Sequence, residues 1–182
     1  VNELTDIEVF GIREKQPEIL NSITRLPLRP SEQIQSISVI SNKVIEEQGN
    51  MTITDAVRNV VGVTQFASFG NAQESLSTRG FRGIPTLKNG VRVQSDFRGG
   101  GFLTDMQGIE SIQVLKGTAA ITQGIGNDLG SAGGVINIAT KTPKFLNAGE
   151  ISLRGGSWGQ FRPTFDVQTV LDKSQTVAFR VN

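Results

Sequence analysis

Cysteine and histidine are both absent from these 182 residues. Without cysteine there is no disulfide and no thiolate nucleophile. Without histidine the commonest metal ligand and general base is missing as well. Long apolar runs are also lacking: none approaches the ~20 residues that a membrane-crossing helix needs. Hydrophobic content is 37%, modest but above that of a chain that stays unfolded. Neither sign of charge is in excess, and a net charge of +1 gives no reason to invoke nucleic acid. The chain begins with Val1 and shows no signal peptide, so a mature or trimmed product is expected.

What is abundant is glycine, with 21 residues. Many lie in one stretch, Gly108 to Pro143, which reads as strand, glycine-rich excursion, strand. Ile112, Val114 and Leu115 form one short apolar run, and Val135, Ile136 and Ile138 form another. β-branched residues bounded by glycine signal strands. Frequent glycine between them suits a chain threading a crowded place, because glycine alone adopts positive φ cheaply. Gly124, Gly126 and Gly130 are spaced G-x-G-x-x-x-G, one residue off the dinucleotide fingerprint. A strand follows rather than a helix, and no Gly-Lys-Ser/Thr completes a P-loop, so a packed turn is the better reading.

Upstream, residues 1–33 have little periodicity. Asp6, Ile7, Glu8 and Val9 alternate acid and apolar, which suits an extended segment. Such a segment is either a frayed terminus or a strand donor for a partner's sheet edge. Pro17, Pro27 and Pro30 then suggest an extended linker. Ordered structure is expected from Ile34. Ile37 and Val39 share one strand face. Ser41 is placed to cap a short helix closed by Gly49. Thr52 is placed to cap another that carries an Ile53, Ala56, Val57, Val60 stripe and ends at Gly62. Residues 66–75 read as a surface loop. Strands are expected over 76–81 and 86–93, the second folded at Asn89-Gly90, a strong hairpin signal.

After Pro143 the pattern alternates. Ile151 and Leu153 alternate with Glu150, Ser152 and Arg154. Phe161, Phe165 and Val167 alternate with Arg162, Asp166 and Gln168. Val177, Phe179 and Val181 alternate with Thr176, Ala178 and Arg180. Three strands with one apolar and one polar face fit either a sheet lying on a soluble core or the start of a transmembrane barrel. Asp96, Asp105 and Glu110 are carboxylates near loops, but none is paired with another acid at readable spacing, so no catalytic constellation is legible. Arg79, Arg82, Lys88, Arg92 and Arg98 form a basic cluster, either a solvated face or an anion-binding surface.

Several of these stretches resemble one family in the same order. LTDIEVFG resembles a TonB box. QSISVISNKVIEEQG with TDAVRNVVGV, then STRGF with NGVRVQ, then IESIQVLKG with GGVINIATKTP resemble the plug domain of TonB-dependent outer-membrane receptors. Thr118 stands where the family usually has proline. The subtype is most similar to receptors for ferric siderophores.

The resemblance implies an α+β fold: a plug with a small mixed β-sheet and short helices, followed by the first strands of a barrel of about 22 strands. It divides the chain into a TonB-box-like segment (1–12), a linker (13–33), the plug (34–145) and three barrel strands (146–182). It implies a gated transport plug in the outer membrane, coupled to TonB through Asp6, Ile7, Glu8, Val9 and Phe10. Arg79, Gln94, Ser95, Arg98 and Gln107 are the candidate substrate contacts. Gln107 stands where the family can place an aromatic. The iron would be wrapped by its siderophore, so no cofactor or protein metal ligand is expected. The other reading is a secreted or cell-surface binding module without transport.

Overall fold

A computed structural model describes residues 23, 32, 34–68, 74–82, 84–94, 105–118, 132–172, 174 and 176–182. The TonB-box-like segment, Ser95, Arg98 and most of the 118–132 excursion lie outside these residues. None of the described helices is long and apolar enough to cross a membrane.

The centre is a five-stranded sheet. Its strands are β1 (Ser36–Ser41), β4 (Thr86–Lys88), β5 (Val91–Gln94), β6 (Ile109–Lys116) and β7 (Gly134–Thr140), in the order β1-β6-β7-β4-β5. All neighbours are antiparallel except β4 and β7, which run parallel. The β6–β7 register places Val114 opposite Ile136 and Lys116 opposite Gly134. Gly134 sits at φ +131°, and a Cβ there would lie 1.9 Å from the Leu115 carbonyl oxygen. Only glycine fits that close backbone approach.

Strand alternation gives this sheet two apolar faces. On the first, Ile40, Ile112, Val114, Ile136 and Ile138 meet the helices α1 (Asn42–Glu47) and α2 (Ile53–Val57) through Ile45, Ile53, Ala56 and Val57. On the second, Leu87, Leu115 and Val135 are buried with Ile37, Val39 and Ile23. Each fully buried side chain of this kind contributes about 1.5–3 kcal/mol. The helix caps are those the sequence signals: Ser41 Oγ accepts from Val44 N, and Thr52 Oγ1 accepts from Asp55 N.

Two expectations need correction. α2 ends at Val57, not at Gly62; tight turns from Val57 to Val60 and from Val60 to Val63 carry the chain on and keep Val60 buried. The stripe is real, but a five-residue helix is enough to seat it. Residues 66–75 are not simply a loop. β2 (Val63–Ser68) and β3 (Glu74–Thr78) pair antiparallel, with a register irregularity between Gln65 and Ala67. Val63 and Leu76 anchor this pair in the core, and the hydroxyls of Thr64 and Ser77 bond across it at 2.7 Å. Small hydroxyl residues hid the strands, because Ser75, Ser77 and Thr78 are buried without the apolar alternation that announces a strand.

The three alternating strands form a separate sheet, β8 (Ala148–Gly155), β9 (Phe161–Val170) and β10 (Ala178–Val181), in the order β10-β9-β8. Its faces are reversed relative to a soluble protein. Ile151 is 78% exposed, and Leu153, Phe161, Phe165, Val167 and Phe179 are exposed with it. The opposite face carries Arg162, Thr164, Asp166, Gln168 and Arg180, and it turns toward the central sheet: Asp166 is 7% exposed.

Candidate functional site

Arg79 follows β3 and takes φ +53°, a left-handed conformation that a bulky side chain seldom adopts. Gly80 follows at φ +82°. The Arg79 N–H donates to the Gly62 carbonyl at 2.9 Å. The Arg79 guanidinium lies beside Gly117, where a Cβ would come 3.4 Å from Nη1. The Thr78–Phe81 turn presses on Gly133, leaving no room for a Cβ there. Arg79 is therefore fixed at the corner where β6 ends and β7 begins. Its head is exposed and, among the described residues, has no ion pair. Nearby, Arg82 stacks 4.3 Å from the centre of the Phe66 ring.

Gln94 closes β5 opposite Thr86, and Thr86 in turn pairs with Ile136. Ile136 pairs with Val114, two residues before Lys116. Gln94 is thus at the same end of the sheet as Arg79. Gln107 is not. It precedes β6, next to the end of β7, where the Lys141 N–H donates to the Gly108 carbonyl at 2.9 Å. There it lines a cleft of about 600 Å³ with Lys88, Asp105, Arg162 and Asn182. Sequence proximity does not bring it beside the other candidates, because a β-strand carries its two ends far apart.

Asp105 holds the turn before β6. Its Oδ1 accepts from Gln107 N at 2.9 Å, and Arg162 Nη2 on β9 donates to both of its oxygens at 2.6 Å. Burial pushes the Asp105 carboxyl up, but the Gln107 N–H and the Arg162 guanidinium outweigh it, and its pKa falls below the ordinary value.

Among the described residues, the most enclosed ion pairs lie where the chain passes from the central sheet to the reversed one. Lys141 directly follows β7, and its side chain is 4% exposed. Its Nζ donates to Asp166 Oδ2 at 2.8 Å, with Glu46 3.8 Å away. Arg180 grips the same carboxylate with two bonds, Nε to Oδ1 at 2.8 Å and Nη2 to Oδ2 at 2.7 Å. Arg180 Nη1 also donates to the Thr142 carbonyl, and Glu110 bonds Lys144 at 3.1 Å. Buried charges persist when paired and hydrogen-bonded in this way. This cluster was not read from the sequence. The signal was there: a lysine just after the buried strand, and an acid and an arginine on the polar faces of the second and third alternating strands.

The match to known proteins agrees with this geometry. The model of the TonB-dependent receptor plug domain matches residues 29–135, and the chain belongs to that family. It is 30% identical over 171 residues to the ferripyoverdine receptor of Pseudomonas aeruginosa, covering 90% of this chain and 20% of that protein. It is 28% identical over 170 residues to the ferrioxamine B receptor of Salmonella typhimurium, covering 90% of this chain and 24% of that one. The crystal structure of the ferripyoverdine receptor of the Pseudomonas aeruginosa outer membrane bound to ferripyoverdine superposes with a TM-score of 0.76 at 30% identity, over 88% of this chain and 21% of the other. The chain thus spans about a fifth to a quarter of the length of these relatives. The mixed sheet with short helices is the plug fold.

Proposed function

We propose that the chain is the plug and first barrel strands of a TonB-dependent outer-membrane transporter for ferric siderophores. The observation that carries this reading is the reversed sheet β8–β10. Its apolar face is bare and its polar face is tied to the plug by buried ion pairs, which is the arrangement of a barrel wall around a plug. A soluble binding module would bury the other face.

In this reading the plug closes the barrel lumen and offers Arg79 and Gln94, with Ser95 and Arg98 that follow β5 in the sequence, to the ferric chelate. Gln107 would meet substrate only on a path past the opposite end of the sheet. Arginine presents a planar fork of donors suited to an oxygen-rich, often anionic chelate. The iron stays within its siderophore, so the protein supplies no metal ligand or cofactor, and its work is transport rather than catalysis. Asp6 to Phe10 pair as an added strand with TonB.

The test uses a receptor of full family length carrying this chain, in cells lacking their own siderophore receptors. Uptake of radioactive iron on pyoverdine or ferrioxamine B should require TonB. Ile7→Pro or Val9→Pro removes a backbone donor from the pairing strand, so uptake should fall at least tenfold while chelate binding persists. Equal loss of binding and uptake would refute the coupling role. No uptake and no binding of either chelate by the unmodified receptor would refute the transport reading.

A further inference from the structure

Two arginines stand directly opposite each other on the polar face of the second sheet. The register pairs Arg154 of β8 with Arg162 of β9. Side chains in such a pair start about 5 Å apart, and like charges there repel. One of the two is compensated, because both Asp105 oxygens accept from Arg162. The other is not. Arg154 is half-buried, and among the described residues no hydrogen bond or ion pair reaches it. A partly enclosed guanidinium beside a second one favours an anion between the sheet and the plug.

The surroundings suit such an anion. Arg154 and Arg162 line a crevice of about 30 Å³ between the wall strands and the α1–α2 turn at Asn50 and Met51. That is space for roughly two waters, or for the head of one carboxylate. The two acids on the crevice are engaged elsewhere. Asp105 serves Arg162 and the Gln107 N–H, and Glu46 lies 3.8 Å from Lys141. Asp105, Gln107 and Arg162 line the cleft of about 600 Å³ as well, so crevice and cleft adjoin. The cleft wall includes Val93, Ile109 and Phe165. A molecule with an apolar body and an acid head therefore has a place for each part.

We infer that Arg154, with Arg162 beside it, forms a carboxylate-binding site between plug and wall. The ligand is an organic acid whose body lies in the cleft and whose carboxylate enters the crevice. A planar carboxylate accepts two parallel bonds from a guanidinium fork. A phosphate would bring a second negative charge against Asp105 and Glu46. The site lies at the Gln107 end of the central sheet, away from Arg79 and Gln94. It rests on the packing of β8 and β9 against the plug, not on transport.

The test uses the full-length receptor in lipid nanodiscs with two probes, benzoate and benzamide, which share a shape and differ in charge. Benzoate should bind saturably and raise the melting temperature. Benzamide should bind about tenfold more weakly or not at all. Arg154→Gln should weaken benzoate about ten- to a hundredfold and abolish the thermal shift. Arg154→Lys keeps the charge without the fork and should weaken it less. Without ligand, Arg154→Gln should melt no lower than the unmodified receptor, because it removes one of two opposed like charges. Arg58→Gln removes an equal charge from an exposed place on the plug and should leave benzoate binding unchanged.

The site is overturned by an unmodified receptor that does not bind benzoate saturably. Binding that survives Arg154→Gln, or falls equally in Arg58→Gln, also overturns it. So does a lower melting temperature for ligand-free Arg154→Gln, since Arg154 would then already be paired within the receptor. Saturating ferripyoverdine separates two sources of the acid. Displacement of benzoate means that the chelate brings an acid arm to Arg154, and no displacement means a free organic acid. A receptor that transports neither ferripyoverdine nor ferrioxamine B, yet binds benzoate through Arg154, loses the transport reading and keeps the site.

Discussion

Lys141 and Asp166 meet at 2.8 Å, joining the residue just after the plug's β7 to the middle of a strand whose other face is exposed and apolar. They make the two sheets one body. Asp166 also takes both bonds from Arg180, so it is the shared acid of two cations.

Removing that acid leaves two enclosed cations without their main partner. Breaking a buried pair in this way costs about 3–5 kcal/mol. Glu46 and Glu110 remain 3.8 and 3.9 Å from the two cations, so Asp166→Ala should fall at the low end, about 3 kcal/mol. Lys141→Met leaves the Arg180 fork in place and should cost about 1–2 kcal/mol. Denaturant unfolding of the full-length receptor in detergent measures both. The reverse order would mean that Lys141, not Asp166, is the hub.

Gly134 and Gly159 both have positive φ, +131° and +73°. Their surroundings differ. A Cβ at Gly134 would collide with the Leu115 carbonyl, whereas at Gly159 nothing lies within 4 Å. Gly159→Ala should cost only the left-handed strain, about 1–2 kcal/mol. Gly134→Ala should break the β6–β7 ladder and cost more than about 4 kcal/mol, or prevent folding. Melting temperatures of the two variants test the contrast, and equal losses would show that the close approach is not tight.

Arg79 and Gln94 share one end of the sheet, and in the full-length receptor both should touch substrate. Losing a hydrogen bond to a charged partner is worth about 1.5–3 kcal/mol, or roughly ten- to a hundredfold in affinity. Arg79→Ala and Gln94→Ala should each weaken chelate binding by that range without lowering the melting temperature. Leu115→Ala should do the opposite, because it opens a cavity in the second face. Fluorescence titration with ferripyoverdine or ferrioxamine B separates the two classes. Unchanged affinity in both polar variants would move the substrate contacts away from this corner.

The Asp105 carboxyl has its pKa depressed in the folded state. A depressed acid contributes stability that is present above its unfolded pKa, about 3.9, and lost as pH falls through the lower folded value. The Asp105–Arg162 contact should therefore persist to lower pH than an ordinary aspartate would allow, and be lost in stronger acid. Arg162→Gln should raise the Asp105 titration toward the ordinary value. A carboxyl-labelled NMR titration checks both, and a wild-type Asp105 that titrates no lower than it does in Arg162→Gln would contradict the contact.

Much of this was legible where a local rule acts alone. Ser41 and Thr52 are caps because their side-chain oxygens suit free helix N–H groups, and Asn89-Gly90 turns because both residues accept positive φ (+51° and +82°). The β6–β7 ladder and the three alternating strands follow from period two. What escaped depends on partners distant in the chain. β2 and β3 needed Ser77 to find Thr64, thirteen residues away. Lys141 needed Asp166 and Arg180. Ile23, among prolines and polar residues, has no periodicity to announce that a sheet face waits for it. Gln107 lies at the other end of the sheet from Arg79 and Gln94, because sequence gives order along a strand, not which end faces what.

The hairpin β4–β5 has one more consequence. At its turn, Asn89 exchanges two side-chain bonds with Thr140, Nδ2 to Oγ1 at 2.8 Å and Oδ1 from the N–H at 2.9 Å, while Gly90 N–H donates to Asn137. Gln94, at the other end, closes the edge strand of the sheet. A ribbon seamed to β7 along β4 and pinned again at its tip carries β5 as an outrigger, so the placing of Gln94 is referred through the turn to Thr140, one residue from the lysine that holds plug to wall.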